Sequence, residues 1–317
     1  MNFDLTPLQQ EWRTRGTAVG RSLSSDATAA DVVRAAAQTG LLESQADLLA
    51  QVLALEALAS ESPSSAMALA LHLTCALSLP AEQGLIDGRV VGALTLATDE
   101  IPLERDGRLN GRASWVAPLT EDGVALVGVR SGAELAARLL RLSAPGVVVE
   151  QVSVAGLRGV VMGHLLLTDA VSEAAGETRP VMARARTLIA AVGLGVARRA
   201  VREALGSARG TSQGAGGEQT AQGLIADAAT DLDAAMLLTW KAASSPLSLG
   251  LSSMAKLAAT VAAQRAVERA TQVVGAESFR EGHIIERLTQ DVRALELFAG
   301  RTEALREAVA SDQGWTE

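Results

Sequence analysis

The stretch that decides the fold is VMARARTLIAAVGLGVARRAVREALGSA, residues 181–208. Its apolar residues recur at i, i+3 and i+4, which is the spacing of one face of a helix. Three further stretches show the same spacing, near residues 219–245, 250–275 and 286–310. Connectors rich in Gly and Ser separate the four stretches. The C-terminal part of the chain is therefore predicted to form an antiparallel four-helix bundle.

The connector at residues 210–217 is the loosest one, because Gly occupies four of its eight positions. A Gly-rich loop can cradle a phosphate when a strand precedes it and Lys-Ser or Lys-Thr closes it. Neither feature is present in this sequence. The composition favours a flexible tip over a phosphate site.

The first part of the chain also has a helical pattern. Apolar residues keep helical spacing around Val32–Leu41, within Asp47–Ala59 and within Ala66–Leu79, and Gly40 is placed to end the first of these helices. We predict an N-terminal helical domain at residues 1–88.

The middle of the chain changes to the short apolar runs that are typical of strands. Asp106-Gly107 is a hairpin signal within it. This region is predicted to be a small β-domain at residues 89–175, and the bundle then takes residues 176–317. The predicted fold class is mainly α with a central β-domain. The predicted strands are Arg89–Leu96, Ala113–Ala117, Val124–Arg130, Gly146–Val154 and Gly163–Thr168.

Composition limits the possible functions. Hydrophobic residues make up 48% of the chain and aromatic residues only 2%, so the core is built from Ala, Leu and Val, as in closely packed helices. The net charge of −8, without a dense Lys/Arg run, argues against binding nucleic acid or an acidic membrane surface. Each long apolar pattern is interrupted by Arg, Glu, Asp or Gln. We therefore expect no membrane-spanning helix.

The single cysteine, Cys75, cannot form an internal disulfide. Its neighbours Leu73, Ala76 and Leu77 are apolar, which predicts a buried and unreactive thiol. Residues 1–10 do not show a basic flank followed by an apolar run, so no signal peptide is expected. Together these features favour a cytoplasmic location.

The three histidines are His72, His164 and His283, and they lie far apart without Cys or carboxylate at metal-ligand spacing. We therefore assign no metal site. His72 stands among apolar residues and is predicted to be a hydrogen-bonded core histidine. The sequence contains no Gly-x-Ser-x-Gly motif of the kind that presents a nucleophilic serine.

Several motifs occur in an order that is typical of one enzyme family. They are Phe3-Asp4-Leu5-Thr6 with Gln9 and Trp12, Ser65 to His72, Leu109-Asn110-Gly111 with Trp115, Gly156-Leu157-Arg158-Gly159 with Leu165 to Asp169, Gln272-Val273-Val274-Gly275, Ile285-Glu286-Arg287-Leu288 with Asp291, and Phe298 to Arg306. Through them the chain resembles the acyl-CoA dehydrogenases over nearly its whole length. The resemblance implies an all-α N-terminal domain, a small β-barrel-like domain and a C-terminal four-helix bundle.

The resemblance also implies FAD between the β-domain and the bundle, and an acyl-CoA thioester as the substrate. A structural alternative stays open for three of the residues involved. Trp115 can instead be a core residue, and Gln272 and Gly275 can instead serve the turn that follows their helix. The residues that the resemblance places at the cofactor are Trp115, Gln272, Gly275 and Arg301, and those that it places at the substrate are Arg186 and Phe298.

The family removes the acyl α-proton with a carboxylate. Ala299 stands where most members carry that glutamate, and Ala185 stands where some members carry it instead. Neither alanine can accept a proton. Glu296 and Glu303 would lie near the helical face of Ala299 if one helix continued through this point. We expect both to be ordinary surface or helix-pairing charges.

The flavin site is reduced relative to the family. A conserved Gly-rich acidic loop is missing, since Ala97–Pro102 runs almost directly into the next strand. Ala117 stands where a threonine commonly bonds the flavin edge. Arg301 replaces a small hydroxyl residue beside Gly300, where it can pair with a pyrophosphate or fill vacated cofactor space. These changes argue against tight retention of FAD.

Two functions stay open. One is a flavin-dependent oxidoreductase on acyl-CoA thioesters, with an unidentified base or a different reaction in the same pocket. The other is a non-catalytic, flavin-free relative that binds a ligand or supports an assembly. Family members pair through the bundle, so a homo-dimer or homo-tetramer is expected in either case.

Overall fold

Helices, then strands, then helices follow one another along the chain. The computed structural model describes residues 4–43, 47–79, 82–96, 100–210 and 215–315. The limits of 88 and 175 between the three predicted domains remain predictions.

Within the described residues, five helices form the N-terminal part, and side-chain caps fix where the first four begin. Thr6 and Thr28 each start a capping box, while Asp47 and Ser62 accept a hydrogen bond from the backbone N–H three residues later. Such caps satisfy N–H groups that a helix leaves unpaired at its start. The helices are α1 (Pro7–Ser22), α2 (Ala29–Gln38), α3 (Leu48–Glu61), α4 (Pro63–Ser78) and α5 (Gln83–Ile86).

The strands form one mixed sheet. Its order is β6-β7-β3-β2-β4-β5-β8, and β1 pairs with β4 beside this path. β1 and β2 run parallel to β4, and the other neighbours are antiparallel. The strands are β1 (Gly92–Thr95), β2 (Leu103–Arg105), β3 (Arg108–Val116), β4 (Val124–Ser131), β5 (Glu134–Arg141), β6 (Val147–Val152), β7 (Met162–Val171) and β8 (Glu173–Glu177).

The hairpin predicted at Asp106-Gly107 is confirmed, because β2 pairs with the start of β3 across it, whereas β5 and β8 were not expected from the sequence. β5 reads Glu-Leu-Ala-Ala-Arg-Leu-Leu-Arg, a composition that favours a helix, yet it pairs along its length with β4 and also with β8. Tertiary pairing therefore overrides the local preference. The run Arg89–Leu96 was predicted to be strand throughout, whereas only Gly92–Thr95 pairs.

Five α-helices follow the sheet in the described part of the chain. They are α6 (Thr178–Gly210), α7 (Ala215–Ala243), α8 (Leu249–Val274), α9 (Ile284–Leu297) and α10 (Thr302–Asp312). α6, α7 and α8 pack on one another, and α9 and α10 pack on α8. The sequence predicted one helix over residues 286–310, and this was wrong, because the backbone leaves the helix between α9 and α10. The connector predicted at residues 210–217 includes 211–214, which lie outside the described residues.

α6 is the central helix of the fold. By length and composition its span Thr178–Arg209 could cross a membrane, contrary to the expectation that charges interrupt every long apolar stretch. The most apolar 18-residue window of this span is 89% buried inside the protein. Its apolar character is therefore explained by packing against α3, α4, α7 and α8.

α3 and α6 approach closely because Gly195 has no side chain. A methyl group at this position would lie 2.4 Å from the carbonyl oxygen of Glu56 and from Cβ of Ala59. Arg198 of α6 donates from Nε to Glu56 at 2.7 Å, and the Glu56 side chain is buried. The N-terminal helices and the bundle thus share one apolar core, whereas the sheet has a second core of its own.

Two expectations for the N-terminal part are confirmed. His72 is fully buried, its Nδ1 accepts the N–H of Gly92 at 3.0 Å, and its Nε2 lies 3.1 Å from the carbonyl oxygen of Leu85. Burial lowers the pKa of His72 to about 4, so the ring is neutral. Cys75 is fully buried, and burial raises the pKa of its thiol to about 12.

Candidate functional site

The turn between α9 and α10 contains Ala299, the position at which the sequence resemblance predicts a base. Phe298 is extended, Ala299 has a φ of +53°, and Gly300 has a φ of +111°. A left-handed conformation is uncommon for a residue with a side chain and marks a position that its surroundings hold in place. The turn is therefore a fixed feature of the fold.

Two buried cations bind the carbonyl groups of this turn. Lys256 of α8 donates from Nζ to the carbonyl oxygen of Gly300 at 2.8 Å and to that of Glu296 at 3.2 Å. Arg186 of α6 donates from Nε to the carbonyl oxygen of Ala299 at 2.9 Å. Lys256 is fully buried, and Arg186 is 5% exposed. Hydrogen bonds from charged donors are stronger than neutral ones, so these contacts hold α9, α10 and the two bundle helices together.

The charges of these cations are perturbed by their surroundings. Burial, and secondarily the positive charge of Arg186, lower the pKa of Lys256 to about 7, although Glu296 acts in the opposite direction. Burial lowers the pKa of Arg186 to about 10. The Arg186 guanidinium also donates from Nη1 to Oγ of Ser253 at 2.7 Å. The turn thus rests on two close positive groups in a poorly solvated environment.

Glu296 and Glu303, the two glutamates considered as substitutes for the base, each lie in an ordinary structural environment. The Glu296 carboxylate accepts hydrogen bonds from Nε2 of Gln264 at 3.2 Å and from Oγ1 of Thr302 at 2.8 Å, so it ties α8 to the start of α10. Glu303 lies in the first turn of α10 and is exposed. A carboxylate near a helix N-terminus is favourable there without any chemical role.

Ala185 and Ala299, the two positions at which the sequence resemblance would place a base, differ in exposure. Ala185 is fully buried in α6, next to Arg186 in the chain. Ala299 and its neighbour Phe298 are partly buried and pack against the main core. The turn is therefore flanked by two cations, by apolar side chains and by the Glu296 carboxylate, which Gln264 and Thr302 bind.

Trp115 is not part of the core, which settles one of the alternatives left open by the sequence. It is 51% exposed and has a φ of +58° near the end of β3. The backbone N–H of Trp115 donates to Nδ1 of His164 at 3.3 Å, and the two rings meet edge to face with centroids 5.2 Å apart. The indole therefore presents aromatic surface to solvent, available to a flat ligand.

Gln272 and Gly275 lie at the far end of α8. Gly275 caps the helix with a φ of +72°, and Gln272 is exposed. Because Gln272 follows Lys256 by 16 residues, about 24 Å of helix separates it from the turn beside Ala299. Arg301 is exposed at the N-cap of α10, on the turn itself. One chain therefore does not bring Gln272 and Gly275 to Arg301.

Two hydroxyl groups close to Trp115, those of Thr95 on β1 and Ser114 on β3, are already used within the protein. Oγ1 of Thr95 donates to the carbonyl oxygen of Ser114 at 2.8 Å, and Oγ of Ser114 donates to Glu100 at 2.6 Å. Ala117 is fully buried. Of the shortened loop predicted at Ala97–Pro102, residues 97–99 lie outside the described part of the chain.

Lys256 was not predicted from the sequence to be a site residue. Its signal was a charged residue inside an apolar helical stripe, in a chain with only one other lysine. Such a position predicts either a surface residue or a buried charge with partners, and local pattern alone does not identify partners that come from another helix.

Comparisons with known proteins agree with this architecture. Residues 178–313 match the family model described as acyl-CoA dehydrogenase, C-terminal domain. The chain is 30% identical over 185 residues to a protein named 3-sulfinopropanoyl-CoA desulfinase from Paraburkholderia xenovorans (strain LB400). That alignment covers 52% of this chain and 48% of the relative, so the match spans about half the length of the relative.

Solved structures resemble the whole fold. Butyryl-CoA dehydrogenase from Megasphaera elsdenii has a TM-score of 0.88 at 19% identity, covering 99% of this chain and 100% of the other. A glutaryl-coenzyme A dehydrogenase in complex with glutaryl-CoA has a TM-score of 0.87 at 20% identity, covering 100% and 98%. The fold expected from the sequence is therefore confirmed.

Proposed function

We propose that this chain, a member of the acyl-CoA dehydrogenase family with that family's C-terminal domain at residues 178–313, binds an acyl-CoA-type thioester without removing its α-proton. One observation carries the proposal. The turn that would present the base carries the methyl group of Ala299, the groups that bind its carbonyls are the cations Lys256 and Arg186, and the nearby Glu296 carboxylate is already bound by Gln264 and Thr302. Positive groups polarise a carbonyl, but α-proton abstraction needs an acceptor.

Lys256 is not a substitute base in this proposal. Its neutral form would be basic enough, since its pKa is about 7. However, Nζ is sealed beneath the turn and is committed to two backbone carbonyl groups. A general base must reach the proton that it abstracts to within hydrogen-bond distance.

Part of the cofactor site is compatible with FAD, which supplies a hydride acceptor when it is bound. Trp115 offers an exposed aromatic face, and Gln272 and Gly275 are accessible at the far end of α8. A second copy of the chain could bring its own Gln272 toward a flavin bound near Trp115, which favours a homo-dimer or homo-tetramer. These residues would bind and orient the ring.

A second candidate is the flavin-free relative that binds a ligand or supports an assembly. It is favoured by the residues close to Trp115, since Thr95 of β1 and Ser114 of β3 use their hydroxyl hydrogens within the protein and Ala117 has no side-chain donor. The name of the curated relative also suggests chemistry other than dehydrogenation on an acyl-CoA. For this chain, we therefore include 3-sulfinopropanoyl-CoA among the thioesters to be tested.

The test begins with the visible spectrum of the purified protein, before and after incubation with FAD. Butyryl-CoA or 3-sulfinopropanoyl-CoA is then added anaerobically, and binding is measured separately by calorimetry. We expect thioester binding without bleaching of the flavin. Ala299→Glu should restore bleaching at a rate about 10²-fold or more above the parent, because a general base contributes about 10²–10⁴ in rate.

Ala299→Gln is the matched control, since it adds the same bulk without a base. It should behave like the parent protein. Bleaching by the parent protein at an ordinary turnover rate would contradict the proposal. A protein that neither contains nor accepts FAD but still binds thioester would select the flavin-free candidate.

A further inference from the structure

A cavity of about 440 Å³ lies between the N-terminal helices and the bundle. Its walls come from the start of α3, the end of α4, the first turns of α6 and the segment that follows α7. A volume of this size is within the range of small-molecule sites. The lining residues used below are Leu48, Gln51, Leu77, Arg184, Ser245 and Leu247.

Arg184 brings a positive charge to this cavity. Nη1 donates to Oγ of Ser78 at 2.8 Å, and no carboxylate of the described residues lies within ion-pair distance. Burial lowers the pKa of Arg184, which reflects the loss of solvent around its guanidinium. A partly buried cation that lacks an acidic partner in the protein is well placed to bind an anion.

Gln51 contributes a buried hydrogen-bond acceptor that lacks a donor. Its side chain is 2% exposed, and Oε1 has no hydrogen-bond partner within the described residues. A buried acceptor left without a donor costs free energy, so native proteins normally supply one from protein, water or ligand. Gln51 lines the same cavity as Arg184.

The remaining lining is mostly aliphatic. Leu48, Leu77 and Leu247 line the cavity, and the hydroxyl of Ser245 lies at its edge. A ligand that satisfies all of these groups has an anionic head for Arg184, a hydroxyl donor for Gln51 and a short aliphatic body. We propose that the cavity binds a small aliphatic 2-hydroxy carboxylate.

This site is separate from the turn at Ala299. Arg184 and Ala185 are adjacent on α6, so their side chains project about 100° apart around the helix. The α6 face that carries Arg184 meets the end of α4 through Ser78, whereas Arg186 reaches the turn. The proposal does not depend on thioester binding, and either can fail alone.

Calorimetric titration of the full chain tests the proposal with three probes of similar body: 2-hydroxyhexanoate, hexanoate and 1-hexanol. We expect affinity to fall in that order. Arg184→Gln should weaken binding of both carboxylates about tenfold or more, because a charge-assisted hydrogen bond is lost, and should leave 1-hexanol unchanged. Gln51→Leu should reduce the affinity for 2-hydroxyhexanoate to that for hexanoate.

Arg179→Gln is the matched control, since this arginine is exposed in the first turn of α6. It should bind all three probes as the parent protein does. The proposal is overturned if the parent protein binds none of them at millimolar concentration, which would mean that the cavity holds water only. It is also overturned if 1-hexanol binds as well as hexanoate, a comparison that needs no variant to fold.

Discussion

Replacing Lys256 with Met should remove a large pH dependence from the stability of this protein. The ammonium group is buried beneath the turn between α9 and α10, and its pKa falls from 10.5 to about 7 in the folded state. Methionine has a similar length and no charge. The variant therefore separates the cost of the buried charge from the packing of the side chain.

The sign follows from proton uptake. Between about pH 7 and pH 10.5 the unfolded chain binds a proton at Lys256 that the folded chain does not, so the free energy of unfolding rises with pH in this window. Below the window the lysine is charged in both states, and above it the lysine is neutral in both. At about 1.4 kcal/mol for each pH unit, the rise is at most about 5 kcal/mol. Relaxation around the charge reduces it, and we expect at least about 2 kcal/mol.

Urea unfolding followed by circular dichroism, at intervals between pH 6 and pH 10, measures this rise. We expect the parent protein to gain stability relative to Lys256→Met as the pH increases. At the alkaline end the variant should be the less stable of the two, by about 1–3 kcal/mol for each lost contact with the carbonyl groups of Glu296 and Gly300. Other titrating groups cancel because only the difference between the two proteins is used.

The matched control is Lys241→Met, because Lys241 is the chain's other lysine and is exposed on α7. Its stability curve should run parallel to that of the parent protein. If the Lys256→Met curve also runs parallel to the parent curve from pH 6 to pH 10, the buried charge has no effect on folding. The turn would then not be held by a desolvated ammonium.

Three further predictions address other parts of the molecule. Gly195→Ala should lower the free energy of unfolding by about 1–3 kcal/mol, because the new methyl group meets the backbone of α3. Gly206→Ala on the same helix meets nothing within 4 Å and should raise it by about 0.5–1 kcal/mol; urea unfolding measures both variants. In a protein that accepts FAD, Trp115→Ala should weaken its binding about tenfold in a fluorescence titration, whereas Trp315→Ala, also exposed, should not. Arg138 of β5 binds Glu104 of β2 and lowers the pKa of the Glu104 carboxyl. The ion pair therefore contributes stability above the ordinary carboxyl pKa, and this contribution is lost as the pH falls. Glu104→Gln should remove this loss from acid unfolding curves.

The helices of the bundle could be predicted from the sequence because the apolar spacing that specifies each helix lies within that helix. The apolar spacing of residues 181–208 continues without Pro, and the helix observed there extends only a few residues beyond both ends. The motif order also led to the correct fold before any contact was known. Periodicity and resemblance are properties of the chain alone.

The break between α9 and α10 could not be predicted in the same way. The apolar pattern continues through Leu295 and Leu305, and only Gly300 marks a place where the helix can end. The groups that bind the carbonyls of the turn come from α6 and α8, more than 40 residues away along the chain for Lys256. Contacts between residues this far apart in the chain cannot be detected from a short stretch of sequence.

The sheet and the exposed tryptophan show the same limitation. β5 has the composition of a helix, and its strand conformation is imposed by pairing with β4 and β8. For Trp115 the sequence left core and cofactor wall open, because both need an aromatic residue on a strand. Its half-exposed position depends on the left-handed backbone at that residue, which residue type alone does not predict.

The burial of Lys256 also has a practical consequence for labelling. Esters that acylate amines require an accessible amino group, and the only other side chain of this kind in the chain is that of Lys241. A fluorophore coupled there would sit two residues before Ala243, which lines the cavity between the N-terminal helices and the bundle. The native protein could thus carry a reporter on the exposed face of α7, about 200° around the helix from Ala243, without an engineered cysteine.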